Sequence, residues 1–296
     1  MTESSNVNFQ NVILGTANFG QPYGITNWHS LSDEEVFEIL DRARMLGIST
    51  LDTASGYGRS EEIIGNYHAN GNFVFKVNTK LSNFEKLTFN EKTNLVEKAK
   101  NRLHVDAIEN LLFHNMDTIN SDGDVGKFVE KTLHSGLVRK SIGVSIYDFQ
   151  DAILANDKFS SLDLFQINDN LLTRTLMNEN FRARIAVSGF KMQVRSIFLQ
   201  GVLIADLELI TKELNFISSA VTKLEEIAKG LGTNRLSLCL SYMNMFPDEF
   251  EYVIAVNSLE QLNEIASAKL INLSNPILDE LPLLSNEISD PRNWKI

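Results

Sequence analysis

Short apolar runs alternate with amphipathic helical segments along most of this chain of 296 residues. Several runs are apolar without interruption, as parallel strands covered on both faces are. Helices that connect parallel strands imply right-handed crossovers. Eight strands in about 260 residues fit a (β/α)8 barrel, the TIM barrel, whose usual size is about 250 residues. The predicted strands are 11–16, 48–52, 73–80, 107–114, 140–145, 162–168, 191–198 and 251–256.

The segments between the predicted strands carry signals for helix ends. Ser32 and Glu35 have the spacing of a capping box, apolar residues at helical spacing follow, and Gly47 ends the segment. The same apolar spacing recurs over 125–133 and 220–231, each followed by a glycine. These patterns predict helices that cover the barrel.

A doubly wound sheet is the alternative fold for the same order of elements. Such a sheet often carries Gly-x-Gly-x-x-Gly after its first strand, and Gly-Thr-Ala-Asn-Phe-Gly at 15–20 lacks that pattern. No linker rich in Pro, Gly or Ser divides the chain. We predict one barrel domain over residues 1–296, with a core of about 11–270 and a C-terminal tail at 271–296.

The balance of charges excludes several classes of partner. With 27 basic and 38 acidic residues the net charge is −11, which argues against nucleic acid and anionic membranes. The apolar runs fall short of the roughly 18 residues that a membrane span needs, and the first ten residues do not resemble a signal peptide. The single cysteine, Cys239, excludes an internal disulfide and is predicted to be a core side chain. We expect a cytoplasmic protein, and its oligomeric state stays open.

Four side chains with useful chemistry are predicted to meet at one end of the barrel. Asp52 ends the second predicted strand, Tyr57 lies on the loop after it, and Lys80 and His114 end the third and fourth. The carboxyl ends of the strands open on one face of a TIM barrel. Adjacent parallel strands lie about 4.8 Å apart, so these groups are within side-chain reach of one another.

The residues around these four resemble the aldo-keto reductase family. The matching pieces are Asp-Thr-Ala-x-x-Tyr-Gly-x-Ser-Glu from residue 52, Thr-Lys at 79–80 and Leu-Leu-x-His-Asn at 111–115, together with segments 12–20, 136–145 and 256–262. The resemblance extends from about residue 11 to about residue 270. It implies a TIM barrel that reduces carbonyl groups with a nicotinamide cofactor.

The resemblance and the charges suggest a role for each of the four. Tyr57 would give a proton to the carbonyl oxygen, and Lys80 would lower its pKa from about 10. Asp52 would pair with Lys80, and His114 would hydrogen-bond the carbonyl oxygen. A nicotinamide must supply the hydride, because no side chain can. Taken singly, the same residues are commonly a loop cap, a rim aromatic, a surface lysine and a structural histidine.

Lys76 is the alternative to Lys80 on the same predicted strand. It lies four residues earlier, roughly 13 Å along the strand, which we expect to place it deep in the barrel where an unpaired ammonium is costly. Lys80 is therefore preferred. The other histidines are expected to face solvent, and their spacing fits no metal site: His29, His68, His104 and His134.

The resemblance also implies residues that hold the nicotinamide. Ser145 and Gln166 match two of three positions that bind its carboxamide, while Ile146 stands where the family has Asn. Asn168, on the same strand face as Gln166, is a candidate substitute. Arg195 stands where many members stack a Tyr on the nicotinamide. Its guanidinium could stack there, bind substrate or pair with an acid.

Further along, the resemblance implies contacts to the rest of the cofactor. The backbone N–H groups of Leu199 and Gly201 are candidates for the pyrophosphate. Asn257, Ser258 and Gln261 open the last helix at the adenosine end, although helix capping explains Ser258 and Gln261 equally well. The family often has a basic residue at the Gln261 position for the 2′-phosphate of NADPH. We predict NADPH, with NADH as the alternative.

Loops are expected to select the small-molecule carbonyl substrate. The loops at 18–31 and 115–124 offer Phe19, Tyr23 and Trp28 as pocket walls. Segments 23–27 and 195–201 resemble a bacterial subgroup associated with carbohydrate pathways, which implies a sugar-derived carbonyl or a simple aldehyde. Two other functions stay open: a cofactor-binding regulatory barrel with little turnover, and a lyase or isomerase that uses Lys80 as a Schiff base.

Overall fold

Eight parallel strands close into a barrel in the computed structural model, which describes residues 6–25, 30–71, 73–82, 84, 87–121 and 124–294. Each strand pairs with its neighbours in sequence, and the last pairs with the first. The predicted TIM barrel is confirmed. The strands are β1 Val12–Gly15, β2 Thr50–Ala54, β3 Lys76–Leu81, β4 Ile108–Phe113, β5 Val138–Ile146, β6 Leu162–Asn168, β7 Lys191–Arg195 and β8 Glu251–Ala255.

Helices surround the barrel and pack on its outer face. Within the described ranges they are α1 Asp33–Met45, α2 Ser60–Asn70, α3 Phe89–Arg102, α4 Met116–Ser121, α5 Val125–His134, α6 Phe149–Lys158, α7 Glu179–Ser188, α8 Leu207–Glu213, α9 Asn215–Gly230, α10 Arg235–Met243, α11 Leu259–Ser267, α12 Asn275–Glu280 and α13 Asn286–Ser289. None of those helices combines the length and the apolar character that crossing a membrane requires.

The predicted helix signals behave as expected in α1, α5 and α9. Ser32 and Glu35 form the reciprocal capping box of α1. Gly47 follows α1 with a φ of 89°, a conformation that costs glycine little. The segment 115–124 was predicted to be a loop, and this is wrong, because it contains α4. The Asn115 side chain accepts a hydrogen bond from the Asp117 N–H and so starts that helix.

Strand β7 ends three residues earlier than its apolar sequence predicts. After Arg195 the backbone turns through positive φ at Ser196, Leu199, Gln200 and Gly201, with values of 66°, 48°, 54° and 90°. Such a turn cannot continue a strand. It brings the segment 196–201 across the mouth of the barrel, where three of its four positive-φ residues line the cavity described below.

Two sequence-based expectations about basic side chains are wrong. Lys76 begins β3 at the opposite end of the barrel and is exposed, so it is not deep in the core. His68 in α2 is buried, with Nδ1 2.7 Å from the carbonyl oxygen of Leu103 and Nε2 accepting the Phe75 N–H at 3.2 Å. His29 lies outside the described residues. Cys239 is buried in α10, as predicted.

Candidate active site

A cavity of about 1060 Å³ opens at the carboxyl ends of the strands. The four predicted catalytic side chains line it together: Asp52, Tyr57, Lys80 and His114. They come from β2, the loop after it, β3 and the end of β4. The barrel therefore brings into one cavity groups that are up to 62 positions apart in the sequence.

Asp52 and Lys80 form a buried ion pair at the base of this cavity. The Lys80 ammonium donates to Asp52 Oδ2 and also lies 3.4 Å from the carbonyl oxygen of Thr53. The other carboxylate oxygen, Oδ1, accepts a hydrogen bond of 3.0 Å from Gln166 Nε2. Both carboxylate oxygens are thus hydrogen-bonded, which offsets part of the cost of burying two charges.

Tyr57 is held above this ion pair by a tightly packed loop. Its N–H donates to Ala54 O at 3.0 Å, and its carbonyl oxygen accepts from Ser60 N at 3.0 Å. A side chain at Gly20 would lie 2.4 Å from that carbonyl oxygen, so only glycine fits there. The ring centroid of Tyr57 lies 5.7 Å from Lys80 Nζ, and 6.3 Å from that of the His114 ring in an edge-on arrangement.

The pKa of the Tyr57 phenol is raised above its ordinary value, chiefly by burial. The Asp52 carboxylate raises this pKa further, and the guanidinium of Arg195 opposes the rise. The sequence predicted that Lys80 would lower it, but in the free protein Lys80 is paired with Asp52. Tyr57 is therefore a protonated phenol at neutral pH, and the nearby charge that acidifies it is Arg195.

His114 is a neutral imidazole. Burial, together with the cations Lys80 and Arg195, lowers its pKa to about 4. Nδ1 lies 3.2 Å from the hydroxyl oxygen of Ser82, a residue that the sequence did not single out. When Ser82 donates to Nδ1, the ring proton is on Nε2 and is available to a carbonyl oxygen.

Ser60 and Glu61, the last two residues of the motif that begins at Asp52, have a structural role. The Ser60 hydroxyl lies 2.9 Å from Thr16 Oγ1 and 3.0 Å from Thr53 Oγ1, in a buried cluster. Glu61 accepts a hydrogen bond of 2.7 Å from Thr79 and pairs with Arg102. These contacts fix the start of α2 against β3, directly beside Lys80.

Gln166 lines the base of the cavity, as the sequence predicted for a carboxamide-binding residue. Its Nε2 group donates to Asp52 and, at 3.2 Å, to Gln193. Its Oε1 atom is buried and has no hydrogen-bond partner among the described residues. A buried oxygen of this kind fits a ligand that brings an N–H group, as a carboxamide does. Asn168 is also buried, but it is not among the described residues that line the cavity.

Arg195 and Ser145 line the cavity next to each other. The Arg195 Nε group donates to Ser145 Oγ at 3.3 Å, and the guanidinium lies 4.6 Å from the centroid of the Tyr147 ring. Arg292 lies over the same ring at 3.6 Å and is ion-paired with Asp290. The sequence analysis did not single out Tyr147 or Arg292. Arg292 lies in the C-terminal tail, far in sequence from every motif.

Hydrogen bonds from Arg235 stabilise the segment that follows β7. Arg235 donates to the carbonyl oxygens of Leu203 at 3.1 Å and Ala205 at 2.6 Å, and it pairs with Glu225. The N–H groups proposed for the pyrophosphate are used inside the loop, since Leu199 N donates to Ser196 O and Gly201 N to Phe198 O. Gly201 lines the cavity, and Leu199 is fully buried.

The far end of the cavity reaches the start of α11. Asn257 and Gln261 line it, and Ser258 caps the helix by accepting from Gln261 N at 3.2 Å. Gln261 Oε1 in turn accepts from Asn257 N at 2.7 Å. The Gln261 side chain is thus held by its own loop, and Lys269 is a cation that lines the same end.

The predicted pocket walls have three different outcomes. Tyr23 lines the cavity, and burial raises the pKa of its phenol to about 12. Phe19 is completely buried and is not among the described residues of the cavity wall. Trp28 lies outside the described residues.

Comparisons with known proteins agree with this geometry. A model described as the Aldo/keto reductase family matches residues 11–281. A thermostable aldo-keto reductase solved with the inhibitor epalrestat is 21% identical, with a TM-score of 0.67, and the match covers 94% of this chain and 98% of that one.

Two other solved structures share the fold with similar TM-scores. The glycerol dehydrogenase of Gluconobacter oxydans is 20% identical, with a TM-score of 0.68 and 91% and 90% of the two chains covered. An aldo-keto reductase from a Medee basin deep-sea metagenome library is 15% identical, with a TM-score of 0.66 and coverage of 97% and 93%. No curated protein matches the chain by sequence.

Proposed function

The chain belongs to the aldo-keto reductase family, whose members are nicotinamide-dependent oxidoreductases, and on that premise we propose that it reduces a small aldehyde or ketone with Tyr57 as the proton donor. The observation that carries this proposal is the meeting of Asp52, Tyr57, Lys80 and His114 in one cavity. In this reaction the carbonyl carbon gains a hydride, the oxygen gains a proton, and the product is an alcohol. We assign the activity to the cytoplasm.

The protein's own groups supply the proton and the orientation. The Tyr57 phenol is protonated at neutral pH and lies close to the neutral His114 ring, so both can donate to one carbonyl oxygen. Asp52 fixes the Lys80 ammonium 5.7 Å from the centroid of the Tyr57 ring, and the positive charge of Arg195 favours release of the phenol proton. Such a positioned proton donor is typically worth about 10²–10⁴ in rate.

The cavity fits a nicotinamide cofactor, which supplies the hydride when bound. The unpartnered Oε1 of Gln166 suits the N–H group of its carboxamide, and Ser145 lies on the neighbouring strand. At the other end, Asn257 and Gln261 line the part of the cavity that would receive the adenosine. We propose Gln166, Ser145, Asn257 and Gln261 as cofactor contacts, with Ser258 as the cap of α11.

We propose NADPH as the preferred cofactor, with Lys269 as the cation for its 2′-phosphate. Lys269 lines the adenosine end of the cavity, whereas Arg235 is paired with Glu225 and Gln261 is held by Asn257. Replacing Lys269 with Gln should raise the Kd for NADPH about tenfold and leave that for NADH unchanged. Equal changes for both cofactors would remove Lys269 from this role.

The substrate that we propose is a sugar-derived carbonyl compound or a simple aldehyde. Hydroxyl and amide groups that suit a polyol are exposed to the cavity at Tyr23, Asn115 and Ser196. A neighbouring fold is that of a glycerol dehydrogenase, a protein named for a polyol. A panel of aldoses, short aldehydes and aromatic aldehydes tests this assignment.

The first experiment titrates the protein with NADPH and NADH and then adds an aromatic aldehyde while the absorbance of the reduced nicotinamide is followed. Binding followed by oxidation supports the reductase function. In parallel, Tyr57→Phe should lower turnover at least about 10²-fold and leave the Kd for the cofactor nearly unchanged. Full activity in this variant would exclude Tyr57 as the proton donor.

The two other functions give different results in the same experiment. Tight cofactor binding without oxidation across the panel would favour a regulatory barrel. A Schiff base would require Lys80 as a free amine, and its ion pair with Asp52 holds it as an ammonium instead. Trapping of the protein with a carbonyl compound and borohydride would contradict that conclusion.

A further inference from the structure

Arg195 lies in the wall of the cavity and has no carboxylate directly paired with it. Its three hydrogen bonds go to neutral oxygens, at Ser145, Ile146 and Ser196, and each of them is 3.3 Å long. No carboxylate lies within 4.0 Å of it in the described part of the chain, although fourteen other ion pairs are present there. Half-buried guanidinium groups normally have a charged partner.

A second guanidinium is held beside the first. Arg292 and Arg195 both lie over the ring of Tyr147, at 3.6 Å and 4.6 Å from its centroid. The ring face attracts each cation, but the two cations repel each other. Asp290 is ion-paired with Arg292, which Asp117 and Asp151 also influence from farther away. Arg195 lowers the pKa of Asp290 as well, but it forms no ion pair of its own.

The four candidate catalytic groups together carry no net charge. Asp52 and Lys80 cancel each other, and the low pKa of His114 keeps that ring uncharged. Arg195 is therefore a cation at this end of the cavity that has no ion pair of its own among the described residues. Its field reaches the reacting groups, since it lowers the pKa of both Tyr57 and His114.

We infer that Arg195, supported by Tyr147 and Arg292, binds an anionic group of the substrate, a carboxylate or a phosphate. This inference rests on the proposed reductase function and makes it more specific, because the substrate becomes a carbonyl compound that carries a negative charge. A guanidinium presents a fork of N–H donors that matches either anion. With the anion on Arg195, the carbonyl group of the same molecule lies towards Tyr57 and His114.

Binding of two aldehydes of nearly the same shape separates the effect of the ligand's charge from that of its size. 4-Formylbenzoate and 4-formylbenzamide differ in the charge of one planar group, and both carry an aldehyde. Calorimetric binding to the protein without cofactor should give a Kd roughly ten- to a hundredfold lower for the carboxylate. Equal Kd values for the two probes would overturn the inference. This readout does not need turnover, so it distinguishes a failure of the inference from a failure of the reductase function.

Three variants assign the effect to Arg195. In Arg195→Gln the preference for the carboxylate should disappear, while Arg195→Lys should retain part of it because the charge remains. Arg139→Gln is the matched control, since Arg139 is exposed near the opposite end of β5 and its partner Glu109 keeps Lys140. A preference that persists in Arg195→Gln, or that is lost in Arg139→Gln, would refute the assignment.

The contribution of Arg292 to anion binding is tested with a double variant. Arg292→Gln alone would leave Asp290 unpaired near the cavity and would repel an anion for that reason. Asp290→Asn with Arg292→Gln removes both charges together, and the preference should fall by about two- to tenfold. An unchanged preference would remove Arg292 from the site.

Kinetics with reduced cofactor distinguish a phosphate from a carboxylate as the anionic group of the substrate. kcat/KM for glyceraldehyde 3-phosphate against glyceraldehyde tests the phosphate, and the two benzaldehydes test the carboxylate. Arg195→Gln should remove whichever preference the protein has and leave the Kd for NADPH unchanged. A raised Kd for NADPH with an unchanged substrate preference would instead assign Arg195 to the cofactor and overturn the inference.

Discussion

At the scale of single residues, the proposed chemistry depends on a buried ion pair that can be removed without leaving a lone charge. Lys80→Met alone would strand the Asp52 carboxylate, at a cost of about 3–5 kcal/mol in folding free energy. Asp52→Asn with Lys80→Met avoids that cost. This double variant should fold and should lose about 10²-fold or more in kcat.

Lys76→Met is the control for that experiment. Lys76 lies on the same strand but is exposed at the other end of β3, so the same substitution there should leave kcat unchanged. Thermal unfolding shows whether both proteins are folded before their rates are compared. Wild-type turnover in the double variant would mean that the charge of Lys80 contributes nothing to proton transfer.

The pH dependence of kcat/KM reports the states of His114 and Tyr57. The pKa of His114 is about 4, so the neutral ring should persist through the neutral range, and the rate should fall only below about pH 5. The pKa of Tyr57 is raised, so no alkaline loss from its deprotonation is expected up to about pH 9. An alkaline decline near pH 8 that disappears in Tyr57→Phe would contradict this expectation. It would show that the pKa of Tyr57 is lowered when cofactor is bound.

The sequence located the candidate catalytic residues better than it located their surroundings. Asp52, Lys80 and His114 end predicted strands, Tyr57 follows one, and the carboxyl ends of the strands all lie on one face of a barrel. Ser82 contacts His114, and Tyr147 contacts Arg195 and Arg292, through side-chain directions that no local pattern encodes. Lys80 lines the cavity and Lys76 does not, but the expected position of Lys76 was wrong, because the amino end of a barrel strand opens to solvent.

At the scale of secondary-structure elements, α2 packs against the end of α3 through a glycine. A Cβ at Gly65 would lie 1.8 Å from the carbonyl oxygen of Arg102, so Gly65→Ala must push the two helices apart. The expected loss is about 1–3 kcal/mol of unfolding free energy. Urea unfolding at constant m-value measures it.

Gly230 at the end of α9 is the matched control. A Cβ there meets nothing within 4 Å, so Gly230→Ala should be neutral or stabilise by about 0.5 kcal/mol. Equal losses in the two variants would mean that the packing of α2 on α3 is not what Gly65 provides.

Element boundaries were predictable where a local signal marks them. The capping box gave the start of α1, and β6 has its predicted bounds. The end of β7 was missed because Ile197, Phe198 and Leu199 are apolar in a turn as well as in a strand. They belong to the loop that crosses the cavity and are buried within it, so their hydrophobicity indicates burial rather than an extended strand.

At the scale of the whole molecule, the C-terminal segment is part of the site and not an appendage to the barrel. Arg292 lies at the cavity, and Arg174 donates to the carbonyl oxygens of Leu281 and Pro282. The strong negative charge of the chain as a whole coexists with a guanidinium in the cavity wall, that of Arg195, which has no ion pair of its own. An anionic substrate is therefore recognised locally by Arg195, against the overall field of the protein.

Global stability should decline as the pH falls through the mildly acidic range, because His68 is buried as a neutral ring. Burial lowers the pKa of His68, and its Nε2 accepts the Phe75 N–H, which a protonated ring cannot do. The unfolded chain binds a proton near pH 6.5 that the folded chain excludes. Unfolding free energy then falls with decreasing pH, by up to about 1.4 kcal/mol per pH unit for this one proton, until the folded-state pKa is reached.

Comparing His68→Gln with His134→Gln isolates this contribution from that of the carboxylates, which titrate over lower pH. Glutamine at position 68 can keep a donor and an acceptor but does not titrate, so the slope of unfolding free energy between about pH 7 and pH 5 should become flatter. His134 is exposed at the end of α5, and its replacement should leave the slope as it is. A slope that stays the same in His68→Gln would show that the folded protein protonates His68 as readily as the unfolded chain does.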